Sequence, residues 1–218
     1  MVIKNDGMLD DLFCLEDLGP EANLQLPDPL LVQKYKSLKN RELWITKDID
    51  ETLFQEMQQV IRWNKEDADA KIPVEDRKKI YLYVHSYGGD LYSAMGFLSV
   101  MNLSKTPIVT VNLACAMSCG AMILINGHKG YRYCLRNSTA LLHSGSAAQG
   151  GDYNAIQQQN QQYKNLIARV HANILENTKI PKTILSKKLK TDWYLDDDQQ
   201  LEYSLVDHIV DDITQIIS

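Results

Sequence analysis

The strongest constraint on the fold is a pair of short apolar runs separated by a helix-length segment. Ile80-Tyr81-Leu82-Tyr83-Val84 is rich in β-branched and aromatic residues and leads into the turn signal Gly88-Gly89. A helical segment follows over Leu91–Leu103, and a second strand-like run occupies residues 107–113. Strands joined through a crossover helix lie parallel, because only antiparallel neighbours can be closed by a tight hairpin. The expectation is an α/β domain built on a parallel sheet, with chemistry at the strand ends.

The remaining pattern extends that architecture. Glu42-Leu43-Trp44-Ile45-Thr46 reads as a strand. Leu53, Phe54, Met57, Val60 and Ile61 recur at helical spacing, which predicts a helix with that stripe in the core. The charged stretch 64–79 reads as a loop. Thr139-Ala140-Leu141-Leu142 reads as a short buried strand that delivers His143 to the sheet edge. Gln149-Gly150-Gly151-Asp152 opens a helical segment to about residue 177, with a seam of Ile156, Tyr163, Ile167, Val170 and Ile174. On pattern alone such a seam packs on its own domain.

At 218 residues with 44% apolar content, the chain suits one domain with a sizeable core. Residues 1–29 hold Asp6, Asp10, Asp11, Glu16, Asp17 and Glu21 against Lys4, together with Pro20, Pro27 and Pro29. They are expected to form an acidic arm, either mobile or docked, ahead of a single domain at 30–218. A net charge of −5 gives no electrostatic case for nucleic acid or an anionic membrane. No apolar run approaches the roughly 20 residues of a membrane span. Met1-Val2-Ile3-Lys4-Asn5-Asp6 lacks a secretory signal's apolar core, so a cytoplasmic location is expected. Cys14, Cys115, Cys119 and Cys134 show no paired metal-ligand spacing, which predicts reduced thiols and no metal site.

The chemistry-bearing residues are Ser118, His143 and Asp192. Ser118 lies in Leu113-Ala114-Cys115-Ala116-Met117-Ser118-Cys119-Gly120-Ala121, where small residues permit a sharp turn that presents a hydroxyl at a helix start. A serine hydroxyl needs a base in hydrogen-bond reach, and the base needs a third group to fix its tautomer. Asp192 precedes Trp193-Tyr194-Leu195, which predicts a partly dry carboxylate. Singly, each has a plainer reading: a packed helix serine, a core histidine, a solvated or capping aspartate with Asp196-Asp197-Asp198 in competition. Gly88-Gly89 alone is an ordinary strand-to-helix turn. Taken jointly, the three point to acyl transfer.

Over roughly residues 30–212 the chain resembles the Clp proteolytic subunits (ClpP), a family of self-compartmentalised serine peptidases. The segments that carry the resemblance are Ile80-Tyr81-Leu82-Tyr83-Val84-His85-Ser86-Tyr87-Gly88-Gly89, Ser118-Cys119-Gly120-Ala121, the strand ending in His143, Gln149-Gly150-Gly151-Asp152, Asp192-Trp193-Tyr194-Leu195 and Tyr203-Ser204-Leu205-Val206-Asp207. The resemblance implies a ClpP/crotonase-type α/β fold of repeated β-β-α units, with a protruding handle helix at about 145–177. It implies Ser118 as nucleophile, His143 as general base and then acid, and Asp192 as orienter. The backbone N–H groups of Gly89 and Cys119 would form the oxyanion hole. It further implies a homo-oligomer of stacked heptameric rings, or rings mixed with a paralogue. Peptides and unfolded proteins would be delivered by a hexameric AAA+ unfoldase, with no cofactor in the chain itself.

Several positions depart from the family pattern. Tyr87 stands where the family has Pro, which predicts a less rigid turn. Met117 and Ala114 replace smaller residues of the nucleophile segment. Ser144-Gly145 replaces Gln-Pro after the histidine, which predicts a looser base. Two other readings follow: a catalytically silent ring subunit that supports an active paralogue, and a crotonase-like acyl-CoA enzyme, which would not need all three side chains together.

Overall fold

A computed structural model describes residues 28–145 and 150–217. The expected acidic arm, apart from its last two residues, and Gln149 lie outside the described residues. The chain divides into one unit through Lys36 and a second spanning Ser37–Ser218. A first helix, α1 (Pro29–Lys39), buries no residue. In the second unit the order is β1 (Glu42–Ile45), α2 (Leu53–Asp69), β2 (Ile80–Ser86), α3 (Leu91–Leu103), β3 (Ile108–Met117) and α4 (Cys119–Ile125). Then follow β4 (Arg132–Cys134), β5 (Thr139–Leu142), α5 (Tyr153–Asn177), α6 (Lys182–Lys188), β6 (Trp193–Leu195), α7 (Asp197–Glu202) and β7 (His208–Ile209).

The sheet runs β1-β2-β3-β4-β7 with every pairing parallel, as the crossover helices require. Its long central strand forks. Thr110 to Asn112 of β3 pair with β4, whereas Cys115 to Met117 pair with β5, and β6 adds to β5 antiparallel. Asn112 fills the fork: wholly buried, it donates to the Thr139 carbonyl at 3.1 Å and to Gln200 Oε1 at 3.0 Å. The side-chain period of two divides the residues of β2, with Leu82 and Val84 packed beneath Phe97 and Ile123 and Tyr83 packed with Val109 and Val111 on the other face.

The helix α3 begins where Asp90 accepts a hydrogen bond from the Ser93 amide at 2.7 Å, a standard cap for an otherwise apolar segment. The α2 helix corrects two expectations. It runs through Asp69, so the loop begins only after the charged segment's first residues. Its stripe also divides: Leu53 and Val60 are buried, while Phe54 and Ile61 are 54% and 55% exposed. The core-facing line instead continues to Trp63 and Asp67. Asp67 is buried because Arg41 meets both its oxygens, at 2.6 and 2.8 Å, and the Thr106 hydroxyl donates at 2.7 Å.

A second buried pair closes the other end of the sheet. Arg132, on β4, is 3% exposed and donates to both oxygens of Asp207, and its guanidinium also reaches the Asn177 carbonyl at the end of α5. Burial alone would raise the Asp207 pKa, but the guanidinium and the amides of Gly130 and Arg132 outweigh it and hold the carboxyl below its ordinary range. Replacing Arg132 with Leu leaves a carboxylate without its partner and should destabilise the fold by roughly 3–5 kcal/mol in urea unfolding. Because the folded pKa is depressed, this pair's stabilisation is complete above about pH 4 and is lost as pH falls through the folded value. The wild-type protein should therefore lose more stability on acidification than Arg132→Leu does.

Candidate active site

Two strand pairings bring Ser118, His143 and Asp192 into line. Met117, the last residue of β3, lies opposite Leu141 of β5, and the Ser118 amide donates to the Leu141 carbonyl at 2.9 Å. Leu142 lies opposite Trp193 of β6, so His143 and Asp192 are the next facing positions outward. The Ser118 hydroxyl oxygen sits 2.7 Å from His143 Nε2, and Asp192 Oδ1 sits 3.3 Å from Nδ1. A carboxylate beside Nδ1 favours the proton there, which leaves Nε2 free to accept from the serine hydroxyl.

The expected dry environment of Asp192 is not found. Its side chain is 57% exposed. The cause is strand alternation: Trp193 and Leu195 enter the core, and Asp192 shares the outward parity of exposed Tyr194.

The backbone at Ser118 is strained, with φ 53° and ψ −120°, a conformation that costs a residue bearing a Cβ roughly 1–3 kcal/mol. It is held from both sides. The amide is bonded to Leu141, and the carbonyl accepts from Met122 in the first turn of α4 at 3.1 Å. Gly88, at φ +108°, packs directly against this elbow, and a Cβ there would lie 2.7 Å from Ser118 Cβ.

The turn expected to be loose for want of a proline at position 87 is pinned by other means. Ser86 donates its hydroxyl to the Lys47 carbonyl at 2.8 Å and accepts from the Gly88 amide at 3.2 Å. Ile49 donates to the Gly88 carbonyl and accepts from the Asp90 amide, both at 2.7 Å. A Cβ on Gly89 would fall 2.1 Å from the Ile49 carbonyl oxygen, so only glycine passes here. Among the described residues, neither the Gly89 nor the Cys119 amide donates to a backbone carbonyl, and the latter opens α4.

The segment after His143 is also not loose. The Ser144 hydroxyl donates to the Leu189 carbonyl at 2.8 Å, and the Ser144 carbonyl accepts from the Tyr163 hydroxyl at 3.0 Å. Ser86, Ile49, Ser144 and Tyr163 were absent from the sequence-derived site. A serine two residues before a glycine is a recognisable turn signal for Ser86, whereas the contacts of the other three come from distant parts of the chain.

Ser118 and His143 open onto a cleft of about 820 Å³. Met122, Leu142, Leu166, Ile167, Val170 and Ile174 give it an apolar wall, and Gln158, Gln159 and Gln162 of α5 add uncharged polar groups. Its one carboxylate, Asp90, is engaged in capping α3. Cys119 does not compete as a nucleophile: burial pushes its thiol pKa up, and its Sγ lies 3.4 Å from the Gly89 carbonyl. Cys115, Cys119 and Cys134 are free and buried, and Cys14 lies outside the described residues. Among the described residues no His, Cys, Asp and Glu cluster could hold a metal ion. No described helix is long and apolar enough to cross a membrane.

An α/β domain that lines up a serine, a histidine and an aspartate at its strand ends, beside a double-glycine turn, defines a broad structural class. Comparison narrows it: the chain belongs to the Clp protease family, whose model matches residues 31–212. It is 28% identical over 134 residues to the ATP-dependent Clp protease proteolytic subunit of Deinococcus radiodurans, a stretch covering 62% of this chain and 66% of that protein. It is likewise 28% identical to proteolytic subunit 2 of Treponema pallidum, covering 67% of that protein. With proteolytic subunit 1 of Prochlorococcus marinus it shares 31% identity, covering 69% of that protein. The matched stretch thus spans about two thirds of each relative's own length.

Gly88 is where this geometry is most exposed to substitution. Gly88→Ala places a Cβ against the elbow at a φ that favours glycine, and should lower stability by about 1–3 kcal/mol in chemical denaturation. An unchanged midpoint would show that the elbow yields more easily than its packing indicates.

Proposed function

We propose that this chain is a serine endopeptidase subunit of a self-compartmentalised ring protease. The observation that carries the reading is the 2.7 Å contact between Ser118 Oγ and His143 Nε2 on a strained elbow flanked by two amides that bond no backbone carbonyl. In the proposed reaction the Ser118 hydroxyl attacks a peptide carbonyl carbon as its proton passes to His143 Nε2. The negative oxygen of the tetrahedral intermediate accepts hydrogen bonds from the Gly89 and Cys119 amides, each worth roughly 3–4 kcal/mol in the transition state. His143 returns the proton to the leaving amine and an acyl-enzyme forms. Water, deprotonated by His143, then attacks the ester and regenerates Ser118. Asp192 stabilises the imidazolium in both steps.

The substrate side of the proposal rests on the cleft. Its apolar wall and uncharged glutamines suit an extended peptide with an apolar side chain next to the scissile bond. Unfolded proteins would reach it through a partner AAA+ unfoldase hexamer, in keeping with relatives described as subunits of an ATP-dependent protease. Assembly into stacked heptameric rings, of one subunit type or mixed with a paralogue, would cover apolar surface that the single chain leaves open. The first half of α5 buries no residue, and Phe54, Ile61, Leu103 and Tyr153 are all exposed. A cytoplasmic location, and an amino-terminal arm placed at the ring axis, complete the proposal.

One observation favours the second reading, a silent subunit that supports an active paralogue: the solvent-exposed Asp192 lies 3.3 Å from the imidazole. Peptide turnover separates the two. Under the peptidase reading Ser118→Ala lowers turnover by about 10⁴–10⁶-fold and leaves the native mass unchanged. Asp192→Asn lowers it by about 10⁴-fold through the wrong imidazole tautomer. Wild-type turnover no faster than that of Ser118→Ala would establish the silent reading.

A further inference from the structure

We propose that Ser144 is a positioning residue for His143, clamping the base between α5 and the segment that carries Asp192. This rests on the peptidase reading and adds to it a residue on the cleft wall that takes no part in bond making or proton transfer. The need for such a clamp follows from the weakness of the other restraint. The Asp192 side chain is 57% exposed, so its contact with Nδ1 can fix the tautomer while exchange with solvent leaves it little hold on the position of the ring. An imidazole oriented only by that carboxylate would wander from the serine hydroxyl.

Ser144 supplies restraint at the backbone next to the ring. Its hydroxyl donates to the carbonyl of Leu189, a buried residue three positions before Asp192 whose own amide is tied back to Leu185. Base and orienter are thereby joined a second time, through a part-buried bond. The Ser144 carbonyl in turn accepts from the Tyr163 hydroxyl, one helical turn before the buried Leu166 of α5. Burial pushes the Tyr163 phenol pKa up, so it remains a donor at neutral pH. Gly145 makes this approach possible: it lies at φ +76°, and a Cβ there would sit 3.1 Å from the Tyr163 hydroxyl. Three elements, α5, the end of α6 and the end of β5, thus converge on one residue beside the base.

The test is steady-state hydrolysis of a fluorogenic peptide by the full-length protein and by Ser144→Ala, Ser144→Thr and Tyr163→Phe, with thermal melting of each. Misplacing a catalytic group by about 1 Å can lower turnover by up to about 100-fold. Ser144→Ala should accordingly lower kcat by roughly 10–100-fold with KM little changed, because positioning matters at the transition state rather than in substrate binding. Ser144→Thr, which keeps the hydroxyl, should recover most of the rate, and Tyr163→Phe should show a smaller fall of the same kind. If Ser144→Ala fails to fold, Tyr163→Phe removes one oxygen from the other end of the clamp and tests the proposal through its own smaller fall in kcat. An unchanged kcat in the folded variants overturns the proposal and leaves the peptidase reading intact, as does a loss confined to KM or one that Ser144→Thr does not repair. A wild-type protein that hydrolyses no peptide overturns the peptidase reading and the positioning role with it.

Discussion

A slip of one residue between β5 and its neighbours would turn every β5 side chain to the opposite face and carry His143 away from both partners. The site therefore depends first on sheet register. On one edge β5 is fixed to β3 by Met117 opposite Leu141, and on the other to β6 by Leu142 opposite Trp193. Ala140 and Leu142 are buried and enforce that register through the core, while Asn112 seals the fork that lets β3 serve both β4 and β5. The line from Ser118 to Asp192 crosses three strands that lie far apart in the chain, and it exists because those strands pair in this register.

The second dependence is on backbone held in an unfavourable conformation. Ser118 and the two glycines facing it occupy positive φ, and both segments are pinned from outside: Leu141 bonds the serine, Ile49 bonds Gly88 and Asp90 on either side of Gly89, and Lys47 holds Ser86. A lone turn of this shape would relax. Packed against β1's following loop and the start of α4, it keeps its shape and leaves the Gly89 and Cys119 amides without a backbone acceptor.

Much of this was legible in the sequence, and the parts that were not share a cause. The apolar runs at β2, β3 and β5 and the span of α3 follow from period and composition, since those residues are buried in the way their patterns indicate. Ser118, His143 and Asp192 were legible as residue types in order, but their meeting depends on strand pairing, which no local pattern encodes. The α2 stripe misled because amphipathicity specifies an apolar band without saying that all of it faces this chain's own core; Phe54 and Ile61 do not. The dryness expected of Asp192 failed because an apolar neighbour in sequence points to the other side of a strand. The stiffness of the turn and of the segment after His143 was invisible, since it comes from Lys47, Ile49, Leu189 and Tyr163, none of which is adjacent in sequence to what it holds.

The account's central claim is that Ser118 is an activated nucleophile within an assembled ring. The most direct measurement treats the purified protein with a fluorophosphonate, locates the adduct by peptide mass spectrometry and determines native mass on the same sample. An adduct at Ser118 in a ring-sized assembly is the predicted result, because only a serine with a base in contact and amides ready for the developing oxyanion reacts readily with such a reagent. A ring-sized assembly that stays unmodified at Ser118 would contradict the claim.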